Sequence, residues 1–263
     1  MKATFDDSAE RYDIEFTHSL IGRLQRKYVW KYLSNHLHLA GKDVLELNCG
    51  TGEDAVFFAN HGSKVIATDI SRKMLMQTQR KVLDNHLQKS ISTLWLDINQ
   101  IELLEGEQRF DLIFSNFGGI NCIEKNQLEK LLHAAKFLLK KNGRLILVLM
   151  PKHCLWEIIY FSSKFQFKKA FRRHTSKGVK ATVGDEEMDI WYYNKKNLDT
   201  LSKDFKVIRS QPIGLAIPPS YFNNTWIGKR GILNKLDVAE RALNKMPFLS
   251  NYADHFLIDL ELK

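Results

Sequence analysis

The chain has 263 residues, 44% hydrophobic and 11% aromatic, enough to bury one large core, and this excludes a disordered tail or a fibrous repeat. Its three cysteines, Cys49, Cys122 and Cys154, form no C-x-x-C pair, which argues against a disulfide framework or a cysteine zinc site and predicts a reducing compartment. The net charge is +9; the opening MKATFDDSAERYD has no apolar signal core, and the longest apolar run, Leu145 to Met150, is too short to span a bilayer, so a cytoplasmic protein is expected.

In chain order, Leu20, Leu24, Tyr28, Tyr32 and Leu33 recur at helical spacing within residues 1–40. A regular alternation follows. Asp43 to Leu47 reads as a strand, Gly50-Thr51-Gly52 as a turn, and Glu53 to His61 as a helix stopped at Gly62. Lys64 to Thr68 is a second strand, and Ser71 can cap a helix running to about Leu87. Ser92 to Leu96 and Phe110 to Ser115 are the third and fourth strands. Gln127 to Leu139 is an amphipathic helix, Lys141-Asn142-Gly143 a turn, and Arg144 to Leu149 the fifth strand. After Pro151 the rhythm changes. Residues 152–174 are aromatic, basic and helical. Thr182 to Asn194 suits a hairpin or edge strand. Phe205 to Gln211 and His255 to Glu261 are sixth and seventh strands, with a helix from Lys229 to Lys245 between them. Strands alternating with helices predict an α/β fold: a parallel sheet with helices on both faces and ligands at the carboxyl ends of its strands.

The ends of the first four strands carry the chemistry. The first runs into Glu46-Leu47-Asn48-Cys49-Gly50-Thr51-Gly52, a glycine-bearing strand-to-helix turn whose backbone amides can approach a ligand. A dinucleotide fingerprint, G-x-G-x-x-G, fails here at two of its three glycines, which places Asn, Gly and Glu at 48, 50 and 53. The second strand ends at Asp69, whose carboxylate can accept from ribose hydroxyls. Asp97-Ile98 follows the third strand, and Asn116-Phe117-Gly118-Gly119 the fourth. Taken singly, Asp69 suits a surface turn, Asp97 a helix cap and the glycines any βα turn; together, in register at four strand ends, they describe one site.

Residues 46–52 resemble motif I of the class I S-adenosylmethionine-dependent methyltransferases, with Asn48 where that family places its first glycine. Residues 40–150 carry the resemblance. It implies a Rossmann-like seven-stranded sheet, S-adenosyl-L-methionine as cofactor, and cofactor contacts from Glu46, Asn48, Cys49, Gly50, Gly52, Asp69, Ile70, Met74, Asp97, Ile98, Asn116 and Phe117. The segment Phe5-Asp6-x-x-Ala9-x-x-Tyr12-Asp13 is similar to the opening of ubiquinone/menaquinone-type methyltransferases. By that likeness Tyr12 covers the sulfonium or carboxylate and Arg26 pairs with the carboxylate; a helix merely packed on the sheet is the alternative.

Methyl transfer from a sulfonium is an in-line displacement that asks the protein for alignment and dryness, and for a base only where the nucleophile must lose a proton. His255 and His153 are the candidate bases, and each could instead be a half-buried structural histidine. Trp156, Tyr160 and Tyr221 are candidates to line an apolar acceptor pocket, or simply to join the core. One methyltransferase domain over 1–263 is expected. It comprises an N-terminal helical cover (1–40), a cofactor-binding core (41–150), and substrate-side insertions with the last two strands (151–263). A lid is expected from 1–35, 152–195 and 213–250. From Ile158 to Gly184 there is no acidic residue, while Lys164, Lys168, Lys169, Arg172, Arg173, Lys177 and Lys180 are basic. This stretch is either a solvated face or a surface for an anionic substrate or carrier protein. A small apolar or aromatic acceptor is expected, with no metal and no nucleic acid. The alternative is an RNA or protein methyltransferase that uses residues 164–180.

Overall fold

A computed structural model describes residues 5–6, 9–106, 108–183 and 186–263. Its strands are β1 (Asp43–Leu47), β2 (Lys64–Asp69), β3 (Ile91–Trp95), β4 (Phe110–Ser115), β5 (Leu139–Leu149), β6 (Val179–Val183), β7 (Glu186–Ile190), β8 (Phe205–Ile213) and β9 (His255–Leu262). Seven of them form one sheet in the order β3-β2-β1-β4-β5-β9-β8; β6 and β7 pair separately as a hairpin. β1 to β5 run parallel, and β9 lies antiparallel to both β5 and β8. The central strands are near-continuous apolar runs, such as Leu145 to Leu149, because both of their faces are covered.

Each face has its own core. One packs the helices Leu20–His36, Glu53–Asn60, Arg72–Asp84 and Arg230–Leu243 through Ile21, Tyr28, Phe58, Leu75 and Leu233. The other packs the helix Lys125–Leu138 through Leu128, Leu131, Leu132 and Leu138. The α/β class and the helices on both faces follow the sequence pattern closely, and several differences have local causes.

Ser71 caps its helix as expected, its hydroxyl accepting from Met74 N at 3.1 Å, but the helix stops at Asp84 and not near Leu87. His86 takes a left-handed φ of 57°, with Leu87 N donating to Val82 O and His86 N to Leu83 O. That is a Schellman end without glycine, so no residue type announced it. The expected turn at Lys141-Asn142-Gly143 lies inside β5, which starts at Leu139; Asn142 (φ 61°) bends the strand where its register against β4 shifts. The helix Leu20–His36 packs into the core. Ile21, Tyr28, Val29, Tyr32 and Leu33 are fully buried, and the Tyr32 hydroxyl donates to Asp259 at 2.6 Å.

Candidate functional site

The turn after β1 is built from left-handed backbone: Asn48 (φ 53°), Gly50 (φ 54°) and Gly52 (φ 79°). Asparagine tolerates that region better than other non-glycine residues, so the turn forms with Asn48 in place of glycine. Gly52 serves packing: a Cβ there would lie 2.5 Å from Thr78, whose hydroxyl donates to Gly50 O at 2.9 Å. The turn is thereby pinned to the helix Arg72–Asp84.

Beside it, Asp69 closes β2. Its Oδ2 accepts from Gly50 N at 2.9 Å and its Oδ1 from Ser71 N at 2.8 Å. Burial outweighs these hydrogen bonds and pushes its pKa up to about 6. Each oxygen keeps a lone-pair direction for a further donor.

These groups open onto a cavity of about 560 Å³ at the carboxyl ends of the parallel strands. Asn48, Gly50, Asp69, Ile70, Met74, Asp97, Ile98, Asn116 and Phe117 line it, and Tyr12 covers it from the N-terminal segment. Asp97 also caps its own turn, accepting from Asn99 N at 2.9 Å, while it lines the cavity. Burial pushes the Tyr12 phenol up to about 12, leaving a neutral hydroxyl over the cavity at neutral pH.

Four expected cofactor residues do not line the cavity. Cys49 and Gly52 face the helix through Thr78. Arg26 is committed to Asp54, which also accepts from Trp30 Nε1 at 2.6 Å and Asn116 Nδ2 at 2.9 Å. The guanidinium lies 5.0 Å from the Phe117 ring centre, so it braces two lining residues from behind. Glu46 also sits behind the turn. Its Oε2 is buried with no hydrogen-bond partner, and burial, then Asp54, holds its pKa well above the usual carboxylate range.

A second cavity of about 1030 Å³ adjoins the first, sharing Phe5, Tyr12, Phe117, Met150 and Arg172 with it. Tyr221 and His255 line this second space, as does Phe16. His255 is buried; its ring meets the Phe117 edge at 5.3 Å and its Nδ1 lies 3.3 Å from Asp254 Oδ2. Asp254 accepts from Arg173 Nη2 at 2.8 Å and Gln25 Nε2 at 3.0 Å. Burial would raise its pKa, but His255 and Arg173 hold it well below the usual carboxylate range. His153 is not brought to either cavity; it packs against the rings of His174 and Tyr252, where burial lowers its pKa. Trp156 and Tyr160 pack on Phe222 against the core, outside both linings.

Two arginines of the basic stretch have carboxylate partners within the chain. Arg173 is only 4% exposed and bridges Glu157 to Asp254, while Arg172 grips Glu157 through Nε at 3.0 Å and Nη2 at 2.6 Å. Arg172 lines both cavities, a placement that charge pattern alone, open between a solvated face and a surface for an anionic partner, did not give. Met188 and Tyr192, from and just after β7, also line the first cavity and were unmarked in the sequence, which signalled only a hairpin there.

A parallel sheet with a reversed β9, a glycine-bearing turn after β1 and acidic residues after β2 and β3 define a Rossmann-like methyltransferase fold. Residues 44–143 match the family described as "Methyltransferase domain". The chain is similar to the cypemycin N-terminal methyltransferase of Streptomyces sp, 30% identical over 47% of this chain and 43% of that protein. It is also similar to the histone-arginine methyltransferase CARMER of Drosophila persimilis, 31% identical over 54% of this chain and 25% of that protein. The chain thus spans less than half the length of these curated relatives. Among solved structures, a putative S-adenosylmethionine-dependent methyltransferase from Listeria monocytogenes aligns with TM-score 0.61, 14% identity, and coverage of 91% of this chain and 99% of that one. Magnesium protoporphyrin IX methyltransferase from Synechocystis PCC 6803, solved with bound S-adenosylhomocysteine, aligns with TM-score 0.59, 13% identity, and coverage of 92% and 84%. At that identity the two structures share the fold.

Proposed function

We propose that the chain transfers a methyl group from S-adenosylmethionine to a small, apolar or aromatic acceptor carrying a protic oxygen or nitrogen. The observation that carries this is the pair of adjoining cavities, one ringed by Asp69, Asp97 and the Gly50 turn, the other holding His255. The first suits the cofactor by its own chemistry. Asp69 offers acceptor positions to ribose hydroxyls, Ile70 and Met74 offer apolar walls to an adenine, and Asp97 can accept from its amine. Glu46, buried behind the turn with a partnerless oxygen, is held toward its protonated form and would ionise only with a cation brought close beside it. When bound, the cofactor supplies the electrophilic methyl and the leaving group.

The chain's own residues then align and deprotonate. Phe117 and Tyr12 belong to both cavities and fix the passage between them. Asp254, itself held by Arg173 and Gln25, lies 3.3 Å from His255 Nδ1, and its negative charge favours the proton on that nitrogen, which leaves Nε2 to accept the acceptor's proton. A cationic acceptor such as an arginine side chain suits this space poorly, since Arg172 lines it and Glu157 and Asp254 already serve arginines. Titration calorimetry with S-adenosylhomocysteine should give binding of about micromolar strength, ~8 kcal/mol. Asp69→Ala should weaken it by roughly 1.5–3 kcal/mol, the range for hydrogen bonds to a charged group. Folded protein that gives no heat at several temperatures overturns the proposal.

A further inference from the structure

We infer that the insertion after β5 docks the protein on anionic membrane surfaces, through phenylalanines at its tip flanked by lysines. The insertion begins with the helix Leu155–Ser163 and the short helix Phe167–Ala170. Residues 163–169 between and within them form an unbroken exposed run. Phe165 is 84% exposed, Phe167 56% and Phe171 50%, with the first two rings edge to face at 6.5 Å.

Packing does not explain Phe165, and neither does its backbone. It ends the first helix in a left-handed conformation, φ 56°, with its own N–H on Ser162 O and that of Gln166 on Phe161 O. Glycine is the residue that fits this end without strain, and a bulky ring there is disfavoured. The side chain contributes only what it offers to something outside the chain. Apolar residues clustered on a surface mark interaction sites.

The charge beside them selects the partner. Lys164, Lys168 and Lys169 flank the phenylalanines, and no acidic residue occurs from 158 to 184. Arg173 is buried between Glu157 and Asp254 and Arg172 is paired with Glu157, so the unpaired outward charge belongs to lysines on long stems. Aromatic rings that insert at the headgroup boundary, with lysines beside them, suit anionic lipid. Single-stranded nucleic acid is instead held along a basic groove with bases stacked on its walls, and none of these phenylalanines lines either cavity. Among the described residues no helix is long and apolar enough to cross a membrane. The patch also leads to the second cavity: Phe161 on its helix meets the Tyr221 ring at 6.5 Å, and Tyr221 lines that cavity.

The test is sedimentation of the full chain with phosphatidylcholine vesicles, with and without phosphatidylglycerol. Binding should be about tenfold stronger to the phosphatidylglycerol vesicles and should fall as salt is added. Phe165→Gly combined with Phe167→Ser should remove it, and Phe165→Gly alone should leave thermal stability equal or higher, which separates lost docking from lost folding. Lys164→Glu with Lys168→Glu should abolish the lipid preference while calorimetric binding of S-adenosylhomocysteine stays at the parent value. Equal sedimentation of parent and variants overturns the inference. So does failure of the parent to sediment. A gel shift of single-stranded RNA at physiological salt, lost in the same variants, would assign the patch to nucleic acid and likewise overturn it.

Discussion

The cofactor-side cavity and the cavity around His255 are assembled in different ways. The first is read off successive strand ends: Asn48, Gly50, Asp69, Asp97 and Asn116 each end their strand or follow it within three residues, and they meet because the strands are parallel neighbours. The second draws on Phe16, Arg172, Tyr221 and His255, from four segments with no common repeat. Behind it, Glu157, Arg173, Asp254 and Gln25 form one buried charged network. A sheet delivers side chains to its edge by periodicity; insertions deliver them only by folding onto one another. The first region should therefore tolerate change in its insertions, and the second should fail when a single buried ion is removed.

The largest effect should come from that ion. Arg173→Met leaves Glu157 and Asp254 buried without their shared partner and should lower stability by about 3–5 kcal/mol in urea denaturation. A loss below about 1 kcal/mol would mean water or Arg172 replaces it, and the contrast between the regions would weaken. His255→Gln should come next. With an acceptor found by screening hydroxylated aromatics for S-adenosylhomocysteine release, kcat should fall about a hundredfold or more while cofactor affinity stays constant. A fall in cofactor affinity with unchanged kcat would place His255 in support of Phe117 instead.

A pH titration sharpens the comparison from the cofactor side. Asp69 holds its proton up to about 6 in the folded chain, above its ordinary 3.8, so its ionised form is disfavoured by burial and its proton is lost only as pH rises through about 6. Ribose hydroxyls need the ionised form as acceptor, so affinity for S-adenosylhomocysteine should be full above that value. Below it, affinity should weaken about tenfold per pH unit. In Asp69→Asn this component should vanish, and parent and variant profiles of equal slope would remove Asp69 from the ribose role. The smallest effect is Ser71→Ala, which deletes the cap of the helix that pins the Gly50 turn and should cost about 1 kcal/mol in thermal or urea unfolding.

The amino-acid sequence by itself determined the strand-and-helix alternation from Asp43 to Leu149, because apolar runs and the glycine turn are local signals, each readable without a partner. It also placed Asp69, Asp97 and Asn116 at a common edge, because parallel strands put their ends together once the alternation is known. Other features were decided only by tertiary structure. Arg26 had a plausible carboxylate to meet in the cofactor, yet it is held by Asp54, some distance along the chain. Trp156 and Tyr160 had the composition of a pocket wall, yet Phe222 takes them into the core. Arg172 and Arg173 looked like their lysine neighbours in a basic run, and only the tertiary placement of Glu157 and Asp254 buried Arg173 and gave Arg172 a partner. The physical reason is common to all three. A side chain's spacing records which face of its own element it occupies, whereas its partner is set by what other elements bring to that face, and for a charged or aromatic group the partner decides whether it supports the core, lines a cavity or meets solvent.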